Sequence, residues 1–461
     1  MSKLTCTLLI IVLLVSSSLL FVDDVHASTI VGGLIASDIT WTLVDSPYKL
    51  SGSVMLNGGV TLTIEPGVIV DLYLYSIMVS GTLNAQGTSD NNIVFQTSYP
   101  PSSSLINLLS GPCWAESTGT GCIIKNAIFS SVEVYISNCS AKIRNTYFTD
   151  TRSYTTISIF TGSPLIINNA FDCHGVGINT YSGYPVISNN FIKCTGNYGV
   201  YASNNVYISD NNITGCSTGV YVTGNSSVTR NLITSNTYGV RVSDSSAKIE
   251  NNVITNNNYG ISGGGTIRNN PFGNNALGVD VSLDANITQN NISITQKNIR
   301  MYMSSTNIND ATYNWWGTTD TQAINQTIQD YKTIPSIGKV NFAPFLNEST
   351  PQAPSLQNIN LTPAPTPTFV PRPTATLAPI STPTPPPADA TTTPMPTPIQ
   401  TPKIVPGSPL SLGGSTFAEV ISQLDITELA KLVFIALGIM WVIVILVSVD
   451  RKFGGKTNEK Q

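Results

Sequence analysis

The chain has 461 residues, only 10% of them charged, and a formal net charge of -4. That is far below the roughly 25% charged residues of an average soluble domain. No basic stripe exists, so nucleic acid is excluded as a partner. Length alone admits two or three domains, but a long internal repeat argues for one elongated domain with appendages.

Residues 1–27 carry Lys3, an apolar run from Leu8 to Val22, and Val25-His26-Ala27 ahead of Ser28. A basic start, an apolar stretch and a small-residue cleavage site are the pattern of a secretory signal peptide rather than a retained anchor. From Ile30 to Phe95, short apolar runs such as Val60-Thr61-Leu62-Thr63-Ile64 and Val68-Ile69-Val70 are separated by Gly-rich or Pro-Gly turns, which predicts strands. The first of these should cap one open end of the core, because an uncovered edge invites association. Between Ser98 and Cys122 the periodicity stops and the sequence reads as a protruding loop; strands resume at Ile124 to Phe129 and Ile143 to Phe148.

From Pro164 to Ser293 the chain repeats seven times. Each repeat holds an aliphatic followed three places later by an Asn: Asn169, Asn190, Asn211, Asn231, Asn252, Asn270 and Asn290, spaced 18 to 21 residues apart. Eight or nine residues after the first six comes a Gly followed by an aliphatic, at Gly177, Gly199, Gly219, Gly239, Gly260 and Gly278. Segments rich in Ile, Val, Thr and Tyr and broken by Asn and Gly disfavour helix. Val220 and Val222 flank Tyr221, and Val240 and Val242 flank Arg241, which is the period of a strand. Units too small to bury their own apolar faces must stack on their neighbours. Aliphatics five apart, as in Ile187 and Ile192, require a bend between them, and the Asn is expected at that bend in a left-handed backbone, with its amides bonding from coil to coil.

A coil of about 20 residues climbing roughly 4.8 Å per turn describes an all-β, right-handed parallel β-helix. These repeats resemble the right-handed β-helix family of secreted proteins, which includes the periplasmic NosD-like proteins and many polysaccharide-active enzymes. Gly59 to Gly67 followed by Gly81 to Gly87 resembles the opening coils of surface-exposed members. Aligning successive Asn sets Asp210 beside Arg230, Glu250 beside Arg268 and Asp172 beside Lys193, so opposite charges meet in three columns.

An exported chain permits disulfides, and six cysteines remain once Cys6 leaves with residues 1–27. Cys113 with Cys122 is the expected pair. Cys173, Cys194 and Cys216 should share one column, either as small apolar thiols or as a disulfide between coils; the partners of Cys139 and these three stay open. Neither metal nor cofactor is expected, since His174 is the only histidine after residue 27.

Asn314-Trp315-Trp316-Gly317, a polar amphipathic turn or short helix, and Gly338 to Leu346 resemble the closing segment of secreted bacterial and archaeal β-helix proteins. The tryptophans could offer a sugar platform, but covering the apolar end of the last coil is the preferred role. Residues 350–410 are dominated by Pro, Thr, Ala and Ser, a composition for an extended stalk. After a juxtamembrane segment at 411–430, residues 431–450 include an uncharged run from Leu432 to Val449 long enough to span a bilayer. Arg451, Lys452, Lys456 and Lys460 in the tail, 451–461, place it in the cytoplasm and everything before Lys431 outside. The layout resembles membrane-anchored surface proteins of archaea. Eight Asn-x-Ser/Thr sequons, at Asn138, Asn212, Asn225, Asn286, Asn291, Asn325, Asn347 and Asn360, are candidates for N-glycosylation.

No catalytic residue is assigned. Asp172, His174 and Lys193 form the only compact titratable group and are read first as an ion pair beside a surface histidine. Tyr201, Tyr221 and Arg241 are expected in one outward column, with Tyr198, Tyr238 and Tyr259 beside it, where rings could stack on sugars. The expected function is therefore a noncatalytic cell-surface β-helix, structural in the envelope or contacting glycans or cells. The alternative is a polysaccharide lyase, hydrolase or epimerase displayed on the stalk.

Overall fold

The computed structural model describes residues 28–99, 104–151, 155–301 and 308–354. The expected signal peptide, the stalk from residue 355, the membrane span, the tail and Asn360 lie outside these. No helix among the described residues is long and apolar enough to cross a membrane.

Among the described residues thirty-five strands, most of them short and every ladder between them parallel, wind into a solenoid of about 13 turns. A coil in the repeat region has three strands. Val186–Ser188 belongs to a first sheet, Phe191–Cys194 to a second and Tyr198–Ser203 to a third. Each strand pairs with its equivalent one coil away, so like residues stack. Ile166, Ile187, Ile208, Val228 and Ile249 form one inward column. Ile178, Val200, Val220, Val240 and Ile261 form another. Before the Asn ladder begins, the core of the second sheet is a file of rings: Phe95, Phe129, Phe148 and Phe171, with centroids 4.8 to 4.9 Å apart. All four are fully buried.

The bend between the first and second strands departs from the sequence reading in one respect. The left-handed residue is the one before the ladder Asn: Asn168, Asn189, Asp210, Arg230, Asn251, Asn269 and Gln289 all have φ between 54° and 59°. The ladder Asn itself follows, buried, with its side chain turned inward. The Nδ2 of Asn211 donates to Asn231 Oδ1 at 2.9 Å and to the carbonyls of Ile187 and Ser209, while its Oδ1 accepts the backbone N–H and Nδ2 of Asn190. The pattern runs without a break from Asn169 to Asn314. The amide thus satisfies backbone groups that a tight turn inside a core would otherwise orphan.

A second ladder lies at the next bend. There Asn236, Asn257 and Asn275 bond from coil to coil, and the Cys216 backbone N–H donates to Asn236. The cysteine column therefore passes into an asparagine column. At the start of the third strand, just past this second bend, the Gly ladder answers to close approach. A Cβ on Gly219 or Gly239 would lie 2.7 or 2.5 Å from the carbonyl oxygen of the next Gly in the file.

Both ends are covered. Trp41, buried, stacks on Tyr48 at 4.9 Å, and Thr29–Ile35 lies along Tyr48–Leu56 as the first strand. At the other end the array continues past Met301 to Lys339–Asn341. Trp316 is 3% exposed, with Phe342 at 6.3 Å, and Ile324 of the short helix Thr321–Gln326 is buried. Asp320 caps that helix through the N–H groups of Gln322 and Ala323. One Trp of the pair is half-buried and the other sealed, so they close the core and do not present a flat platform.

Candidate functional site

Residues that leave the third sheet outward fall into files by the same in-register pairing. One file runs Tyr135, Ser158, Asn179, Tyr201, Tyr221, Arg241, Ser262, Asp280 and Arg300. Tyr201 and Tyr221 stack at 4.8 Å with their planes 13° apart. Tyr198 meets both edge-on at 5.4 and 5.5 Å. Arg241 continues the file, its guanidinium 5.2 Å from the Tyr238 ring, and Tyr238 stacks on Tyr259 at 4.6 Å. Tyr201, Tyr221 and Arg241 are thus brought together as expected, with Tyr198, Tyr238 and Tyr259 beside them.

The same face carries aromatic rings beyond the sequence reading. Tyr135, Phe160 and Tyr181 stack in succession at 4.3 Å, and Asn179 Nδ2 donates to the Tyr181 hydroxyl. Phe160 and Tyr181 stand two residues beyond the file positions Ser158 and Asn179, so the stripe moves two residues along the strands after Tyr135 and moves back between Tyr181 and Tyr201. At the other end Asp280 and Arg300 pair through two bonds of 2.8 and 2.9 Å, and Arg300 sits 5.5 Å over Tyr259. Burial holds the phenols of Tyr135 and Tyr201 above the ordinary tyrosine range, with neighbouring tyrosines adding to the effect. The Asp280 bonds push the Arg300 guanidinium further up. The result is a half-buried, mostly uncharged strip of ring faces flanked by Ser, Thr and Asn, with charge at one end.

The titratable group expected as a catalytic candidate stands elsewhere. Asp172 and Lys193 are in register on the second sheet, 3.6 Å apart and each about half exposed, at 47% and 49%. His174 is exposed on the adjoining turn. They form an open surface ion pair, away from the third-sheet stripe. Of the other predicted charge columns, Arg230 binds Asp210 with two bonds of 2.8 and 2.7 Å. Arg268 lies in register with Glu250, but its Nε donates to Gln289 one coil further on, at 2.6 Å.

The expected Cys113–Cys122 disulfide is not present. Both thiols are free, Cys113 exposed and Cys122 buried, while Cys173 and Cys194 are joined and Cys216 is buried in the same column. The loop at 113–122 is closed by an antiparallel bridge between Ala115 and Thr120, and this turns the Cys113 side chain to solvent. Among the described residues no three His, Cys, Asp or Glu side chains converge to hold a metal.

Four sequon asparagines stand exposed, at Asn138, Asn225, Asn286 and Asn347. Three are engaged or half-buried. Asn291 exchanges two bonds with the Thr350 backbone, Asn325 accepts from Lys332, and Asn212 has its Oδ1 enclosed.

Residues 113–254 match the family model described as the right-handed β-helix region. The described residues form a right-handed parallel β-helix, and the family match covers the coils that carry most of the stripe. Among solved structures it is similar to a periplasmic alginate epimerase, AlgG, at 14% identity over 61% of this chain and 77% of that one, with a TM-score of 0.31. A single-substitution mutant of the same epimerase gives 14%, 63%, 77% and 0.32. No curated protein matches the sequence.

Proposed function

We propose that this β-helix is a noncatalytic glycan-contacting module of the cell exterior, carried on the Pro/Thr stalk and the membrane span read from residues 350–450. The observation that carries the proposal is the aromatic stripe of the third sheet. From Tyr135 to Tyr259 it crosses six inter-coil steps, about 29 Å at roughly 4.8 Å per step. Ring faces on a rigid parallel sheet suit the apolar faces of sugar rings, and tyrosine hydroxyls with flanking Asn and Ser supply hydrogen bonds at the edges. Asn138, Asn225, Asn286 and Asn347 are the sequons whose exposure suits N-glycosylation. The carboxylates that sugar hydrolysis needs in a facing pair are not gathered on the stripe: its one acid in the file, Asp280, is held by Arg300.

The test is a polysaccharide panel screened with a protein of residues 28–354, scoring binding together with new reducing or unsaturated ends. Binding without products, weakened in Tyr201→Ala and Tyr221→Ala, is the expected result. Product formation that is lost in Asp172→Asn or Lys193→Ala would replace this reading with an enzyme.

A further inference from the structure

Three cysteines converge at the root of the loop that interrupts the early coils. The Cys122 backbone N–H donates to Pro112 O at 3.1 Å, its carbonyl accepts Lys142 N–H at 3.0 Å, and Trp114 N–H donates to Ser140 O at 2.9 Å. These bonds set Cys113 between the strand carrying Cys122 and the segment carrying Cys139. Cys122 and Cys139 are both fully buried on neighbouring coils, since the strand that follows Cys122 pairs with Lys142–Arg144. Cys113, by contrast, is exposed. Outside the root the loop is packed on the next coil, with Lys142 paired to Glu116 and 5.8 Å from the Trp114 ring.

We propose that Cys122 and Cys139 form a disulfide between neighbouring coils, and that exposed Cys113 is the thiol through which it is made. Cys122 and Cys139 have no access to an outside oxidant, whereas Cys113 has. In the first step the Cys113 thiolate attacks a small-molecule disulfide such as oxidised glutathione, forming a mixed disulfide and releasing one thiol. Cys122 then attacks the Cys113 sulfur, forming a Cys113–Cys122 bond and releasing the second thiol. Finally Cys139 attacks the Cys122 sulfur, which frees Cys113 and leaves Cys122 joined to Cys139. Two protein thiols lose two electrons and two protons, and one external disulfide becomes two thiols. The neighbouring Cys139 thiol holds that of Cys122 below its ordinary range, while its own is raised by Cys122 and by burial, which favours Cys122 as the attacking thiolate in the second step. The bond pins the loop root beside the start of the aromatic stripe, since Asn107 is the register neighbour of Tyr135 and lies on Leu105–Leu108, a coil strand inside the stretch expected to be all loop.

The experiment uses the full chain, reduced and then exposed to oxidised glutathione, with timed acid quenching, alkylation under denaturing conditions and peptide mapping. The expected end point joins Cys122 to Cys139 and leaves Cys113 alkylated. Cys113→Ser, a change at an exposed position, should reach the same end point about tenfold more slowly, and Cys139→Ser should stop at the Cys113–Cys122 bond. Alkylation of both Cys122 and Cys139 at the end point, or a persistent bond to Cys113 in the unsubstituted protein, would overturn the assignment. An unchanged rate in Cys113→Ser would overturn the entry role. Because the oxidant is supplied, the outcome does not depend on where the protein resides or on what the stripe binds.

Discussion

Replacing Asn211 with alanine tests what the ladder does for the fold. Asn211 is fully buried and makes five hydrogen bonds through its amide. Some of its partners keep a second bond: Ser209 O still receives the Asn189 N–H, and Asn231 Oδ1 still receives the Asn211 backbone N–H. The Asn190 backbone N–H loses its acceptor inside the core. One orphaned buried donor costs about 1–3 kcal/mol, and the two or three other lost bonds about 1 kcal/mol each. The sum is about 3–6 kcal/mol, a large share of the 5–15 kcal/mol typical of a folded domain. Urea unfolding of residues 28–354, followed by circular dichroism, reads this as a lower midpoint. Asn225→Ala, at an exposed turn, is the control and should stay within about 0.5 kcal/mol. A loss below about 1 kcal/mol in Asn211→Ala, or one equal to the control, would refute the view that the amide column satisfies the turn.

Further outcomes follow from the same geometry. Gly239→Ala drives a Cβ to 2.5 Å from Gly260 O and should cost about 2 kcal/mol or more in denaturant unfolding, whereas Gly58→Ala, whose nearest neighbour is 3.8 Å away, should cost little. Trp316→Ala empties the cap over the last coil and should lower stability by about 3–5 kcal/mol, with increased self-association on gel filtration as the end of the core opens. The phenols of Tyr135 and Tyr201 have raised values in the fold. The folded state therefore holds its protons more tightly than the unfolded one, and stability is intact below the ordinary tyrosine value of 10.0 and falls as pH rises through it. Thermal melts between pH 8 and 11 should show that decline, and Tyr201→Phe should reduce it.

The period of the coils, the inward aliphatics and the outward Tyr201, Tyr221, Arg241 file were legible because two ladders of different residue types kept one phase. What was not legible depended on tertiary bonding. Arg230 and Gln289 take left-handed backbones with no strong preference of their own, because the anchored Asn that follows fixes the turn. Asn236, Asn257 and Asn275 each stand five places after a first-ladder Asn, a signal present in the sequence but masked by cysteines in the earlier coils. Tyr135 and Phe160 precede the Asn ladder, so nothing in sequence phased them onto the stripe. Asp280 and Arg300 do share the column, one coil apart, and could have been read from the Asn ladder, each standing ten places after Asn270 or Asn290. Cys113 and Cys122 show the limit of spacing arguments: a short loop allows a bond, but the fold leaves Cys113 exposed and buries Cys122 on the coil next to Cys139, a neighbour that spacing could not supply.

The most direct test of the glycan-contacting face is calorimetric titration of residues 28–354 with graded oligosaccharides of the polysaccharide retained in the panel. Affinity should climb with oligosaccharide length until the chain spans the roughly 29 Å of the stripe, then level off, and Tyr201→Ala with Tyr221→Ala should flatten the climb. Affinity independent of length, or undiminished in that double variant, would contradict the account.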